Sequence, residues 1–162
     1  MREKAEIWQL DGTEACRRAP EQSVIAIDPP YTSRPYACNY TPLNVIADVE
    51  NEPELEKMGG FPVDKPWNRS AWNNKKKARD ELARILAETP ARRAVMNYNT
   101  DGLLSEDEIL EEFATAGWTC VVERYEYMRF RARANTENPK QLYELFFLAE
   151  KKSDRSQDLE SV

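Results

Sequence analysis

Val24-Ile25-Ala26-Ile27-Asp28-Pro29-Pro30-Tyr31 is the stretch from which the rest of the chain is read. Its first four residues form a continuous apolar run, as a central parallel strand covered on both faces requires. The run then stops abruptly on an acid and two prolines. In open α/β sheets ligands sit just beyond the carboxyl ends of strands, so Asp28 falls where chemistry belongs. Pro29 and Pro30 lack an N–H and have a fixed φ, which stiffens the loop and leaves the Pro29 carbonyl directed at a ligand. The Asp28 carboxylate and that carbonyl are two acceptors suited to the two hydrogens of an exocyclic aromatic amine. Gripped this way, the nitrogen is favoured in a pyramidal form with its lone pair free to attack an activated methyl group in line. Tyr31 then offers a stacking surface to a base flipped out of its duplex. The same four residues also suit a plain strand-ending turn.

Outward from this stretch, alternation and β-branched content mark strands at 5–10, 23–28, 92–97, 118–127 and 141–150. With the helical periodicity between them, the order is strand, helix, strand, helix, helix, strand, helix, strand, strand. That order predicts an α/β fold whose sheet is mostly parallel, flanked by helices and closed by an antiparallel hairpin. Ser105-Glu106-Asp107-Glu108 is a capping box that opens a helix with Ile109, Leu110 and Phe113 on one face and Gly117 as its stop. Another helix starts near Ser70, buries Trp72, Leu82, Ile85 and Leu86, and ends before Pro90. Its first turns carry Lys75, Lys76, Lys77 and Arg79, cations that oppose the helix dipole. They read either as phosphate contacts, with Lys75 and Lys76 touching DNA, or as a solvated face. Residues 51–69, rich in Pro, Gly and Asn, are too long for a simple connector and suggest a functional loop.

With 162 residues, 41% hydrophobic and 32% charged, the chain is expected to form one domain over 1–150, followed by a disordered polar tail at 151–162. No apolar stretch approaches the roughly 20 residues of a membrane span, and the start of the chain carries no signal-peptide core, so a cytoplasmic protein is expected. Cys16, Cys38 and Cys120 are odd in number and far apart, and His is absent. Disulfides, a metal site and Ser-His or Cys-His nucleophilic mechanisms are therefore not expected. A net charge of −6 argues against a broad basic surface for DNA on this chain alone.

Taken in order, several of these motifs resemble the Dam-like, alpha-type DNA N6-adenine methyltransferases, a class I, Rossmann-like fold. The resemblance runs from Asp28-Pro29-Pro30-Tyr31 through Arg34, Tyr36, Asn39-Tyr40, Leu43 and Ile46-Ala47 to Gly59-Gly60, Arg69-Ser70 and Trp72. Asn97-Tyr98-Asn99-Thr100-Asp101-Gly102-Leu103-Leu104-Ser105 looks like the family's Ser-Tyr-Asn-Ser-Glu-Gly-Leu-Ile-Ser segment, and Tyr127-Met128-Arg129-Phe130 is similar to its Tyr-Lys-Arg-Phe/Tyr. The resemblance implies S-adenosylmethionine as cofactor, double-stranded DNA as substrate, and Asp28, Pro29, Pro30 and Tyr31 as the catalytic motif. It implies that Asp11 and Gly12 contact the cofactor beside Asp28, although Asp11-Gly12 is also a natural turn and helix start. Asn97 and Tyr98 would shape the base pocket and Arg129 would touch DNA or brace that pocket, with a structural role equally open for all three.

One departure is large. The family's donor-binding half, with its Phe-x-Gly-x-Gly loop, has no counterpart, since the chain contains no Gly-x-Gly. The chain therefore resembles a C-terminal catalytic half, expected to work as one subunit of a split adenine-N6 methyltransferase whose partner brings that loop and target recognition. Alternatives are a non-catalytic scaffold or DNA-clamping subunit, and an enzyme acting on cytosine N4 or on RNA adenine.

Overall fold

Side-chain caps decide where the helices begin. In the computed structural model, which describes residues 5–35, 43, 46, 70–127 and 141–152, the Thr13 N–H donates to Asp11 Oδ1 at 3.0 Å and opens α1 (Gly12–Arg17). The helix expected from Ser70 starts in two steps. Ser70 caps a single 3₁₀ turn, Ala71–Asn73, and the backbone then extends at Asn74 (φ −131°, ψ 126°), whose side chain caps α2 (Lys75–Glu88). Ser105 and Glu108 form the expected capping box and open α3 (Glu106–Thr115). The chain leaves α3 through Gly117 at φ 80°, a left-handed conformation that glycine adopts without a Cβ clash.

Four strands, β1 (Val24–Ile27), β2 (Arg93–Asn99), β3 (Trp118–Tyr127) and β4 (Leu142–Lys151), form one sheet in the order β1-β2-β4-β3. β1 and β2 run parallel, with Ile25 opposite Ala94 and Ile27 opposite Met96, and α2 lies in the connection between them. The β3–β4 hairpin lays its second strand against β2, so both ladders of β4 are antiparallel. The described sheet is therefore mixed, with one parallel pair, and not mostly parallel as expected. Residues 5–10, expected as the first strand, form no ladder, and Ile7 is 95% exposed. Alternation yields a strand only where a neighbour satisfies the backbone N–H and C=O groups, and among the described residues none lies alongside.

Lys151, expected at the start of the tail, instead closes β4. Its ammonium donates to the Thr89 carbonyl at 2.5 Å and sits 5.2 Å from the centre of the Trp118 ring.

The helices cover one face of this sheet. Ile25 and Ile27, Ala94, Met96 and Tyr98, and Leu145, Phe147 and Ala149 alternate onto that face and pack with Leu82, Leu86, Ile109 and Phe113. Phe113 stacks on Phe147 at 6.3 Å, and the buried Trp118 indole donates to the Leu86 carbonyl at 3.1 Å. Each such side chain withdrawn from water stabilises the fold by roughly 1.5–3 kcal/mol. Ion pairs tie the helices together: Lys75 to Glu108 at 2.9 Å, Arg79 to Glu111 at 2.7 Å and to Glu112, and Arg17 to Glu88 at 2.6 Å. On the other face Ala26, Val95, Leu148 and Val121 lie in one cross-strand row, with Val121 59% and Leu148 38% exposed.

Candidate active site at the end of the first strand

β1 ends at Ile27, and the loop that follows is pinned from below. The Leu103 N–H donates to the Tyr31 carbonyl at 2.9 Å, and the Asn73 amide donates to the carbonyls of Thr32 at 2.8 Å and Arg34 at 3.3 Å. The Tyr31 ring meets Tyr98 edge-on, 6.1 Å between centres and 75° between planes. Tyr98 is buried, which pushes its phenol up, and its hydroxyl accepts the Leu104 N–H at 3.2 Å. Gly102 packs directly against it, and a Cβ there would collide with the Tyr98 ring. Within this frame Pro29 is buried and Asp28 is exposed.

A cleft of about 800 Å³ opens at this point, with Asp11, Gly12, Asp28, Pro29, Pro30 and Trp72 among its walls. The structure thus gathers Asp11 and Gly12, at the start of α1, with Asp28, Pro29 and Pro30, at the end of β1. Asp11 also serves the fold, as the cap of α1. Tyr31 lies beneath the loop on Tyr98 and does not line the cleft. Among the described residues no group of His, Cys, Asp and Glu is arranged to hold a metal ion, and no helix is long and apolar enough to cross a membrane.

Asn97 lies on the face of β2 turned away from the helices, one residue past the last β1–β2 pair and therefore level with Asp28. Its Oδ1 is buried and receives no hydrogen bond from the described residues. Two residues on, Asn99 pairs in register with Glu144, and the Asn99 side chain bonds that carboxyl. Burial pushes the Glu144 carboxyl up and the nearby Asp28 charge adds to the shift, while the Asn99 bond opposes it. Glu144 was not singled out from the sequence. Its signal was there, as the one acid in the apolar run Leu142-Tyr143-Glu144-Leu145-Phe146-Phe147.

Of the residues expected to touch DNA, Lys75 is engaged with Glu108 and Lys76 stands exposed beside it on the first turn of α2. Arg129 and the loop at 51–69 lie outside the described residues, as does the tail from 153. Cys16 and Cys120 are free thiols.

Comparison with known proteins places the chain beside DNA methyltransferases. It is 29% identical over 134 residues to the modification methylase StsI of Streptococcus sanguinis, a match covering 80% of this chain and 20% of the relative. It is 27% identical over 133 residues to the type II methyltransferase M.NlaIII of Neisseria lactamica, covering 82% of this chain and 38% of the relative. Against the type II methyltransferase M.FokI of Planomicrobium okeanokoites the identity is 26%, over 79% of this chain and 20% of the relative. The chain thus spans between a fifth and about two fifths of the length of these relatives. No family model and no solved structure matches it.

Proposed function

We propose that this chain is the catalytic subunit of a DNA adenine-N6 methyltransferase, acting on a flipped-out adenine in double-stranded DNA together with a second subunit. The observation that carries the reading is the single cleft shared by Asp11, Gly12, Asp28, Pro29 and Pro30, in a chain similar to named DNA methyltransferases.

The cleft is of the size of small-molecule sites, about 300–1,000 Å³. Its residues fit part of S-adenosylmethionine: Asp11 and Gly12 form one wall toward which a donor amine or hydroxyl is drawn. The chain has no Gly-x-Gly turn to seat the remainder, so the partner subunit supplies that turn. S-adenosylmethionine supplies an electrophilic methyl group when bound.

Asp28 accepts one hydrogen of the adenine amine and the Pro29 carbonyl accepts the other, which frees the nitrogen lone pair for attack. After the transfer the amine sheds a proton, and the Asp28 carboxylate is the base at hand. The prolines hold the two acceptors in place before the substrate arrives, so little reorganisation accompanies the step. Tyr31, braced on Tyr98, fixes the far end of the loop.

Asp28→Ala in the assembled enzyme is expected to lower kcat by at least about 100-fold, the usual effect of losing one positioned hydrogen-bonding group. Unchanged methylation would instead assign the chain a scaffolding role. Mass analysis of nucleosides from the treated DNA distinguishes N6-methyladenine from N4-methylcytosine.

A further inference from the structure

We infer that Glu144 is the second carboxylate of the candidate active site: held by Asn99 beside Asp28, it stabilises the positive charge that reaches the amine nitrogen as the methyl group is transferred. This rests on the reading above and adds to it a residue from β4, the last strand of the described sheet.

Glu144 stands opposite Asn99 in the antiparallel β2–β4 ladder, so both lie on the sheet face turned away from the helices. Asn97, two residues before Asn99 on that face, is level with Asp28. The strand ends are fixed to each other just beyond this pair. The Thr100 N–H donates to the Tyr143 carbonyl and the Tyr143 N–H donates to Thr100 Oγ1, each at 3.0 Å. Asn99 Oδ1 accepts the Asp101 N–H at 2.7 Å, so it is the amide nitrogen of Asn99 that donates to the Glu144 carboxyl. Glu144 is therefore oriented without any ligand.

The turn that follows Asn99 also reaches the catalytic loop. The Gly102 N–H returns to the Asn99 carbonyl at 3.0 Å, and the Leu103 N–H donates to the Tyr31 carbonyl at 2.9 Å. Residues 99–103 thus hold Glu144 at one end and the Asp28-Pro29-Pro30-Tyr31 loop at the other.

No cation of the described residues offsets Glu144. Tyr125 is its partner on β3, and the Tyr125 hydroxyl donates to Glu123 at 2.7 Å. Arg124 lies on the opposite face and pairs with Glu106 at 2.8 Å. Burial and the Asp28 charge make the Glu144 carboxyl hold its proton more tightly than usual. A half-buried acid that faces another acid lowers stability, and the neighbouring positions on its face of β4 are taken by Phe146 and Leu148.

The transfer gives that cost a use. The amine lone pair forms the bond from nitrogen to the methyl carbon, and the bond from that carbon to sulfur breaks with its electron pair going to sulfur. One positive charge leaves sulfur and arrives on nitrogen, where it stays until a proton passes to Asp28. Two carboxylates fixed in advance stabilise a charge formed at Asp28 without reorganising. The buried Asn97 Oδ1, which receives no hydrogen bond from the described residues, adds a negative dipole on the same face.

Glu144→Gln and Glu144→Asp test the assignment, in the full chain for stability and amide exchange, and in the assembled enzyme with double-stranded DNA and S-adenosylmethionine for methylation. Gln keeps an acceptor for Asn99 and removes the charge. Asp keeps the charge on a shorter arm. Glu144→Gln is expected to lower kcat roughly tenfold, less than the loss of a directly contacting group, with KM for DNA and donor unchanged. The urea midpoint of the chain should rise, and the Asp101 and Leu103 amides should exchange as in the unaltered chain, because the loop is still held. Glu144→Asp should recover most of the rate. A rate lost together with stability, or faster exchange at Asp101 and Leu103, would reduce Glu144 to a strut beneath the loop and overturn the assignment. So would an unaltered kcat in Glu144→Gln, or a Glu144→Asp variant no faster than it. Unchanged methylation by Asp28→Ala sinks the enzymatic reading and the role of Glu144 with it. A loss in Asp28→Ala beside an unaltered rate in Glu144→Gln sinks the role of Glu144 alone.

Discussion

Replacing Asn97 by valine asks whether its unsatisfied oxygen is kept for something outside the fold. A buried acceptor with no donor costs roughly 1–3 kcal/mol. Oδ1 of Asn97 is such an atom among the described residues. Valine is of similar size, favours strands and extends the apolar surface begun by Val95, so it introduces no new polar atom. Against the gain stands whatever bond the amide nitrogen makes, about 0.5–1.5 kcal/mol. The net expectation is a stabilisation of about 1 kcal/mol, or about 2–4 °C in Tm for a chain of this length. Urea unfolding followed by far-UV circular dichroism measures it as a higher midpoint at unchanged slope. On the proposed function, methylation by the assembled enzyme should fall at the same time, because the amide level with Asp28 is gone. An unfolding free energy lowered by about 1 kcal/mol or more, the typical cost of a point substitution, would mean that Oδ1 serves the fold and would refute the reasoning.

Three further outcomes are expected. Gly102→Ala should cost about 1–3 kcal/mol, because the new methyl group forces the buried Tyr98 ring aside, and the shift should appear in the near-UV spectrum. Glu144→Gln should stabilise the chain at neutral pH: a carboxyl raised above its ordinary 4.5 favours folding while protonated, and that contribution is lost as pH rises through its folded value. The difference between the two proteins should therefore vanish below pH 4.5, and an equal gain at every pH would contradict it. The Cys120 thiol, pushed up to about 11 by burial from an ordinary 9.0, should alkylate about 100-fold more slowly at pH 8 than an unhindered thiol, as mass spectrometry of timed samples would show.

What could be read from the sequence follows from how local each determinant is. Ser105 and Glu108 specify a helix start within four residues of each other, and the chain obeys them. β3, ten residues of strand-forming composition that begin directly after Gly117, has the bounds expected of it. The two-step start at Ser70 escaped because it depends on the backbone at Asn74, a residue that serves equally well inside a helix start or as its cap. Strand direction is not local: whether β4 lies beside β2 or beyond β3 depends on contacts some 50 residues apart, such as Val95 with Leu148. The same holds for the site. Asp28-Pro29-Pro30-Tyr31 stands out as a motif, whereas the approach of Glu144 to Asn99 and Asp28 exists only after the hairpin has folded back, and residues 5–10 have strand composition without a strand to join among the described residues.

Trp72 is nearly buried against the core and yet forms part of the cleft wall, Trp118 is sealed beneath Lys151, and Trp8 on segment 5–10 is exposed with the Arg18 guanidinium 5.9 Å from the centre of its ring. Indole emission shifts to the blue as water is removed and is quenched by stacked or charged neighbours, so these three residues act as separate optical channels. Trp118 follows global unfolding. A change at Trp72 follows a molecule entering the cleft, and a blue shift at Trp8 follows anything that covers segment 5–10. Single-tryptophan variants of this chain would therefore separate global unfolding from events at the cleft and at segment 5–10, without any attached dye.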